Sequence, residues 1–230
     1  MSICCTNCTT KKEGFFCSLS PAITSIINSN KKTKKFKKGE IIYLEGQVGE
    51  GIYCIQTGKI KMVRKDGNGK DAIINIQGHG ELVGHLHLFQ SDHYIATATA
   101  IEDCQACFIE RAVITKAIED HSELAIHFIK HLSQELSNYD FKLTSFVSKN
   151  VKSRLADLLL QMGIKFGTQL HEGLRIDVKL TREELASIIG TVNETVTRFM
   201  TEFKDCGYIM EKEKTLYILQ PGKLKEIANN

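Results

Sequence analysis

The chain has 230 residues, of which 42% are hydrophobic and 25% are charged. This length allows one or two domains with a buried core, and the composition excludes a disordered, collagen-like or low-complexity protein. The formal net charge is only +3, so binding to a polyanion requires a local basic surface.

Signals for membranes and secretion are absent from the sequence. No run approaches the roughly 18 to 20 apolar residues that cross a bilayer, and residues 1–12 lack the apolar core of a secretory signal. We therefore expect a cytoplasmic protein without a membrane partner. Four of the eight cysteines fall within the first 17 residues. A disulfide framework is not expected in a reducing compartment, so this clustering needs a separate explanation.

The N-terminal half is predicted to form a β-barrel. Residues 1–18 are a cysteine-rich arm, followed by a short helix at residues 21–29 and a lysine run at residues 31–38 that is typical of a solvated surface. From about residue 36 to residue 111, short alternating strands separated by glycines indicate an antiparallel barrel or jelly roll. Lys65-Asp-Gly-Asn-Gly-Lys70 predicts a tight hairpin. The predicted strands are residues 40–44, 51–55, 59–64, 71–76 and 96–109.

A helical pattern replaces the strands from about residue 112 to residue 150. Its apolar residues alternate in spacings of three and four, which is the seam of a coiled coil. We expect this helix to pair with its own copy in a homodimer, and packing on its own barrel is the alternative. The predicted dimerisation residues are Ile129, Leu132, Leu136, Tyr139, Leu143 and Phe146.

The C-terminal region contains the pattern of a helix-turn-helix. Thr181-Arg-Glu-Glu184 and Thr191-Val-Asn-Glu194 are predicted capping boxes, and Gly190 ends the first helix between them. The second helix would enter the DNA major groove, where an arginine can pair with guanine; a solvated surface helix is the alternative. A helix at residues 151–166 precedes this motif, and a hairpin wing at residues 211–219 follows it. The predicted DNA-binding residues are Thr181, Arg182, Thr191, Asn193, Glu194, Thr197 and Arg198.

The order of these elements resembles the CRP/FNR family of bacterial transcription regulators across nearly the full chain. Gly58-Lys-Ile-Lys-Met-Val63, Gly80-Glu-Leu-Val-Gly84 and residues 180–198 carry the resemblance. It implies an α+β fold with an N-terminal double-stranded β-helix, which is a jelly-roll barrel like those that bind cyclic nucleotides. A long dimerisation helix and a C-terminal winged helix-turn-helix complete the fold. The expected domains are a cysteine-rich arm at residues 1–18, a β-barrel sensor domain at residues 19–116, a dimerisation helix at residues 117–149 and a winged helix-turn-helix DNA-binding domain at residues 150–230.

The resemblance also implies partners. A dimer would bind a palindromic site in double-stranded DNA, with Glu194 and Arg198 at base-reading positions. The hairpin at residues 66–69 resembles a place where the family contacts RNA polymerase. No catalytic activity is expected, and a thiol oxidoreductase that uses Cys5 and Cys8 is the enzymatic alternative.

The barrel departs from the cyclic-nucleotide branch of that family. His85 stands where the carboxylate for the ribose would be, and Tyr94 and Ile95 stand where an arginine and a hydroxyl residue would bind the phosphate. A buried phosphate would lack a charged partner there, which disfavours cyclic AMP. A barrel pocket that contains His85 and Tyr94 and takes another small molecule is an alternative input. A haem or metal on the nearby histidines is less favoured than simple packing.

The cysteine pattern resembles that of the oxygen sensors in this family, with three thiolates in the arm and a fourth from the barrel. The resemblance implies a [4Fe–4S] cluster, whose reaction with oxygen or nitric oxide would change the arm and the dimer helix. Zinc, haem or a metal-free thiol switch are the alternatives. The predicted ligands are Cys5, Cys8, Cys17 and Cys107. Cys54, Cys104 and Cys206 are expected to serve packing.

Overall fold

A computed structural model describes residues 14–67 and 69–229. The chain folds as two compact units, which divide between Gln134 and Glu135. The fold is α+β, with a jelly-roll barrel, a long helix and a winged helix-turn-helix in chain order, as predicted. Within the described ranges, no helix has both the length and the apolar character that crossing a bilayer requires.

The first unit is built around two four-stranded antiparallel sheets. One has the strand order β1-β8-β3-β6 and the other β2-β7-β4-β5. The predicted hairpin forms between β4 and β5, where Lys65 pairs with Asp71, although Asn68 in its turn lies outside the described residues. The strands are β1 (Lys32–Phe36), β2 (Ile41–Tyr43), β3 (Gly51–Thr57), β4 (Ile60–Lys65), β5 (Asp71–Gln77), β6 (Leu82–Val83), β7 (Thr97–Ala100) and β8 (Cys104–Glu110).

The alternation of side chains along the first sheet creates two apolar clusters. Tyr53, Ile55 and Phe108 face the barrel interior, where they form the inner cluster together with residues of the second sheet. Ile52 and Ile109, one residue away, face the other side of the sheet. This outer cluster is covered by a 3₁₀ turn at Phe15–Ser18 and by the helices α1 (Pro21–Asn30), α3 (Arg111–Asp120) and α4 (Ser122–Ser148).

The lysine run is solvated at Lys32 and Lys37, as expected. It also forms the edge strand β1, which was not predicted and pairs with β8 along its whole length. Two predictions for this region were wrong in detail. The single strand predicted at residues 96–109 is divided into β7 and β8 by a bend at residues 101–103. The predicted helix at residues 112–150 is broken at His121, which has an extended backbone and ends α3. A short helix, α2 (His87–Gln90), was not predicted.

The second unit contains the predicted helix-turn-helix and wing. Its sheet has the strand order β11-β12-β10-β9. The wing is the hairpin of β11 and β12, turned by Glu213 and Lys214 with positive φ angles. The β9–β10 hairpin and the last helix were not predicted. After the end of α4, the elements are α5 (Val151–Phe166), β9 (Gly167–Leu170), β10 (Gly173–Ile176), α6 (Arg182–Ile189), α7 (Asn193–Asp205), β11 (Ile209–Lys212), β12 (Thr215–Ile218) and α8 (Pro221–Ala228).

Candidate DNA-binding and cysteine sites

The first helix of the helix-turn-helix begins and ends as its sequence predicts. Thr181 Oγ1 accepts a hydrogen bond from the Glu184 backbone N–H at 3.1 Å, and the Glu184 carboxylate accepts one from the Thr181 N–H at 2.9 Å. This capping box satisfies two N–H groups at the start of α6. The helix ends at Gly190, which has a left-handed backbone (φ 66°), and a Cβ there would lie 2.8 Å from Phe146 Cε1. Glycine is therefore favoured both by the left-handed backbone conformation and by the lack of room for a side chain.

The second predicted capping box does not form. Helix α7 has Val192 as its N-cap residue and no side-chain hydrogen bond at the cap. The reason is the shortness of the turn: the Thr191 N–H already donates to the Ala186 carbonyl at 3.0 Å, which completes the end of α6. Thr191 thus belongs to the turn, where it is half-buried.

Helix α7 separates an apolar face from a polar face. Val196, Met200 and Phe203 are buried against the unit. The polar face carries four of the predicted DNA-binding residues, all exposed: Asn193, Glu194, Thr197 and Arg198. The Thr197 hydroxyl lies 3.4 Å from the Asn193 side-chain oxygen, and the Arg198 guanidinium carbon lies 4.8 Å from the Phe199 ring centroid. The face therefore presents donors and acceptors at the spacing of successive helical turns.

Arg182 is engaged within the unit, in a contact that links α6 to the wing. Its Nη2 atom donates to Glu211 Oε2 at 2.7 Å, and Lys204 of α7 donates to the same oxygen. The hydrogen bond from Lys204 is the main cause that lowers the pKa of Glu211 below its usual range, and the charge of Arg182 adds to it. One carboxylate therefore joins three elements of the DNA-binding unit. No local sequence pattern identifies Glu211, because its partners are 7 and 29 residues away.

Most predicted dimerisation residues form an exposed apolar stripe on α4. Leu132 is half-buried, whereas Ile129 and Leu136 are 61% and 63% exposed. The Phe146 ring also approaches the Arg154 guanidinium, at 5.1 Å from its centroid. An apolar stripe of this kind is typical of a helix that packs against a partner. The exposed large apolar residues of α4 are Ile126, Ile129, Leu136, Tyr139, Phe141, Leu143, Phe146 and Val147.

The segment that leads from the cysteine arm is anchored inside the first unit. Cys5 and Cys8 lie outside the described residues, whereas Cys17 is half-buried in the 3₁₀ turn. In this turn the Phe15 N–H donates to the Gly80 carbonyl at 3.0 Å. The Phe15 carbonyl lies 2.8 Å from His127 Nε2, on α4. Hydrogen bonds and apolar burial therefore fix the backbone just before Cys17.

The two cysteines of β8 face opposite sides of their sheet. Cys107 is 5% exposed and belongs to the outer cluster with Phe15 and Phe16, next to Cys17 in the sequence. Cys104 faces the inner cluster, where its Sγ atom lies 3.1 Å from the Thr57 carbonyl and burial raises the pKa of its thiol to about 11. Of the two, Cys107 is the one on the side of the N-terminal segment.

Cys54 was expected only to fill space, but the register of the sheet gives it a specific neighbour. It lies directly opposite Cys107 on the antiparallel strands β3 and β8. It is half-buried, and its Sγ atom lies 3.9 Å from the Gly80 carbonyl that also binds Phe15. Cys206 was expected to be buried and is exposed at the end of α7, because it caps the helix on its solvent side.

The barrel interior is filled by stacked tyrosines. The ring centroids of Tyr43 and Tyr94 are 3.8 Å apart, and the rings are nearly parallel. The Tyr94 hydroxyl donates to the Gly51 carbonyl at 2.7 Å, and burial raises the pKa of Tyr94 to about 12. A Cβ on Gly84 would lie 2.9 Å from the Tyr94 ring. Gly84 thus leaves the space that the stacked rings occupy.

The two residues predicted to line an effector pocket have different neighbours. Tyr94 belongs to the inner cluster, whereas the His85 ring packs 5.2 Å from the His131 ring on α4. No arginine is found among the described residues of the inner cluster. Lys34 brings a positive charge close to it, because its Nζ atom lies 4.1 Å from the Phe108 ring centroid. That cyclic AMP is disfavoured as the effector stays a prediction from the sequence.

Both parts of the chain match known family models. The model described as cyclic nucleotide-binding domain matches residues 33–121, and the Crp-like helix-turn-helix domain matches residues 153–227. Together these two matches span most of the chain, in the order of the CRP-like fold.

Similar proteins match this chain along most of their own length. The CRP-like cAMP-activated global transcriptional regulator of Mycobacterium tuberculosis is 27% identical, over 94% of this chain and 97% of its own. The anaerobic regulatory protein of Bacillus subtilis is 25% identical, over 87% of this chain and 85% of its own. The structure of FixK2 from Bradyrhizobium japonicum has a TM-score of 0.76 at 19% identity and covers 86% of this chain and 96% of that one. The chain belongs to the CRP/FNR family of DNA-binding transcription regulators.

Proposed function

We propose that the protein is a dimeric regulator whose affinity for a palindromic DNA operator changes with a redox signal, oxygen or nitric oxide, received at its cysteines. RNA polymerase is its further partner. The proposal that the cysteines receive the signal is supported by the side of the sheet on which Cys107 lies. Its buried thiol shares the outer cluster with Phe15 and Phe16, the aromatic residues that precede Cys17, so the barrel thiol packs against the segment that carries an arm thiol.

Four cysteines are proposed to hold a [4Fe–4S] cluster: Cys5, Cys8, Cys17 and Cys107. When bound, such a cluster supplies a centre that reacts with oxygen or nitric oxide. Phe15 and His127 then connect the site to α4, because the Phe15 carbonyl is bound by the His127 ring. A change in the order of the arm would alter this contact and hence the packing of the long helix.

The cofactor proposal is tested by iron and acid-labile sulfide analysis on protein purified without oxygen, together with its visible spectrum before and after exposure to air. We expect about four irons and four sulfides per chain and an absorbance that bleaches in air. Cys107→Ser should abolish the absorbance, and Cys104→Ser on the same strand is the matched control. Colourless protein, or full absorbance in Cys107→Ser, would contradict the proposed ligand set.

The register of Cys54 and Cys107 favours a second candidate for the input, a metal-free thiol switch. Residues directly opposite in antiparallel strands have Cα atoms within the range that a disulfide spans. Oxidation by hydrogen peroxide would transfer two electrons and two protons from the two thiols to the peroxide and give one disulfide and two waters. Mass spectrometry of iron-free protein treated with peroxide tests this thiol switch. We expect Cys54→Ser to lack the cross-link and Cys206→Ser to retain it.

DNA recognition is proposed to lie on the exposed face of α7. Arg198 can donate two hydrogen bonds to guanine, and Glu194 can accept one from cytosine. Loss of one such contact costs about 1–3 kcal/mol of base discrimination. We expect Arg198→Ala to lose affinity and sequence preference in a binding titration, while Arg64→Ala, at an exposed position of β4 in the barrel, retains both. Unchanged preference in Arg198→Ala would remove Arg198 from the reading residues.

The apolar stripe of α4 is proposed to form the dimer contact. Leu136 and Leu143 are both exposed and lie seven residues apart on this stripe. A charge at either position would be buried without a partner in a paired helix. We expect Leu136→Glu to sediment as a monomer and Lys130→Glu, on an exposed position of the same helix, to sediment as the wild type does. A dimeric Leu136→Glu would contradict this assignment.

A further inference from the structure

Two imidazole rings meet inside the first unit. His85 lies between β6 and α2 and is 4% exposed, and His131 lies half-buried on α4. Their ring centroids are 5.2 Å apart and their nitrogen ligand atoms lie within 4.8 Å of one another. Two nitrogens bound to one zinc ion at about 2.0–2.1 Å are closer together than this, so modest side-chain rotations bring both rings onto one ion.

A carboxylate follows on the same helix. Glu135 is four residues after His131 within α4 and is half-buried. Side chains four residues apart share one face of a helix, so the helix itself brings a carboxylate oxygen next to the imidazole of His131. Two imidazoles and one carboxylate form a donor set that zinc uses in proteins when it keeps one coordination position open.

We propose that His85, His131 and Glu135 form a binding site for a divalent transition metal ion, with zinc as the ion that fits the donor set. The three proposed ligands include no cysteine, and the site does not depend on a cluster being bound. Imidazole and carboxylate ligands suit a borderline-soft ion, and the burial of His85 shields one side of the site from solvent.

The position of the site gives the metal a structural consequence. The Phe15 ring lies 5.1 Å from the His131 ring and 4.5 Å from the His127 ring. A metal bound to His131 would therefore fix one wall of the pocket that holds Phe15. Binding of the ion would hold the segment before Cys17 more firmly on α4, which makes the metal a second input to the same helix.

The experiment measures zinc binding in the full chain with Cys5, Cys8 and Cys17 replaced by serine. Titration against a chromophoric chelator gives the affinity and stoichiometry, and X-ray absorption gives the bond lengths. We expect one zinc per chain with bonds of about 2.0–2.1 Å to nitrogen and oxygen, and no bond at the roughly 2.3 Å of zinc to sulfur. His131→Ala should weaken binding at least roughly 100-fold, since even residues that only support a ligand contribute 10- to 100-fold.

Two further variants test whether Glu135 is a ligand and whether the effect is specific to the proposed site. Glu135→Gln removes one charge with little change in shape and should weaken zinc binding while the circular dichroism spectrum is retained. His93→Ala, at an exposed position of the same unit, is the matched control and should bind as the parent does. The proposal is overturned if zinc is bound through sulfur alone, if no zinc binds to the serine-substituted chain, or if His131→Ala keeps the parental affinity. In each of these outcomes the two histidines would be a packing pair.

Discussion

Replacement of Phe15 by alanine is expected to detach the N-terminal segment from the first unit. The Phe15 side chain is 7% exposed, and its ring centroid lies 4.5 to 5.1 Å from those of His127, Phe128 and His131. Truncation of a buried phenylalanine costs about 3–5 kcal/mol. Since about 1.4 kcal/mol corresponds to a factor of ten, the lower bound raises the opening constant of the segment more than roughly 100-fold.

The loss of stability in Phe15→Ala should be confined to the N-terminal segment. Beyond the ring, the Phe15 N–H donates to the Gly80 carbonyl, the Phe15 carbonyl is bound by the His127 ring, and Phe16 and Leu19 are buried nearby. The strands of the barrel are held together by their own hydrogen-bond ladders. Segments with few bonds open independently of the core. Hydrogen exchange should therefore accelerate in residues 15–19 and stay unchanged in β3.

Phe15→Leu is the control, because it keeps an apolar side chain in the same pocket and should exchange closer to the wild-type rate. The opposite result would be unchanged exchange at residues 15–19 in Phe15→Ala, with a loss of about 3–5 kcal/mol in the unfolding free energy of the whole unit. Phe15 would then be part of the global core and not an anchor for the arm.

Three more predictions concern single contacts. Gly190→Ala should destabilise the second unit by about 1–2 kcal/mol in urea unfolding, because a side chain at that left-handed backbone is strained, and should weaken operator binding. Tyr94→Phe should cost about 1–3 kcal/mol in urea unfolding of the barrel, because it leaves a buried carbonyl without its hydroxyl donor. The pKa of Glu211 is lowered by Lys204 and Arg182, so its ion pairs stabilise the second unit above about pH 4. This contribution is lost as the pH falls through the lowered pKa. The stability difference between wild type and Glu211→Gln should therefore shrink on acidification.

Each of these has an outcome that would contradict it. Gly190→Ala with unchanged stability would show that the turn tolerates a side chain. Tyr94→Phe as stable as the wild type would mean that the hydroxyl adds nothing beyond the packing of the ring. A constant difference between Glu211→Gln and wild type from pH 7 to pH 3 would mean that the carboxylate is not charged in these ion pairs.

Local signals in the sequence were sufficient for much of the fold. Thr181 and Glu184 cap α6 because both partners of the box are three residues apart, and Gly190 ends the helix because its backbone demands glycine. The turn between β4 and β5 was predicted for the same reason. In each case the interacting residues are close in the sequence, so the pattern contains the whole interaction.

The predictions that were wrong or missing depend on distant partners. The lysine run is a strand because β8, more than 70 residues later, offers it a hydrogen-bonding edge. The second capping box fails because Ala186 of the preceding helix has already taken the Thr191 N–H. Likewise, the pairing of Cys54 with Cys107 follows from strand register, which no local pattern specifies.

The shared carboxylate of Glu211 has a consequence for how DNA preference can change. Because one side chain binds both α6 and α7 through Arg182 and Lys204, a displacement of the wing is coupled to α7, the helix proposed to read the bases. If α7 reads the operator as proposed, we expect a substitution in the wing turn to alter base preference through these ion pairs. Variation in operator preference among descendants of this chain should accordingly appear as paired changes, one in the hairpin and one on the helix.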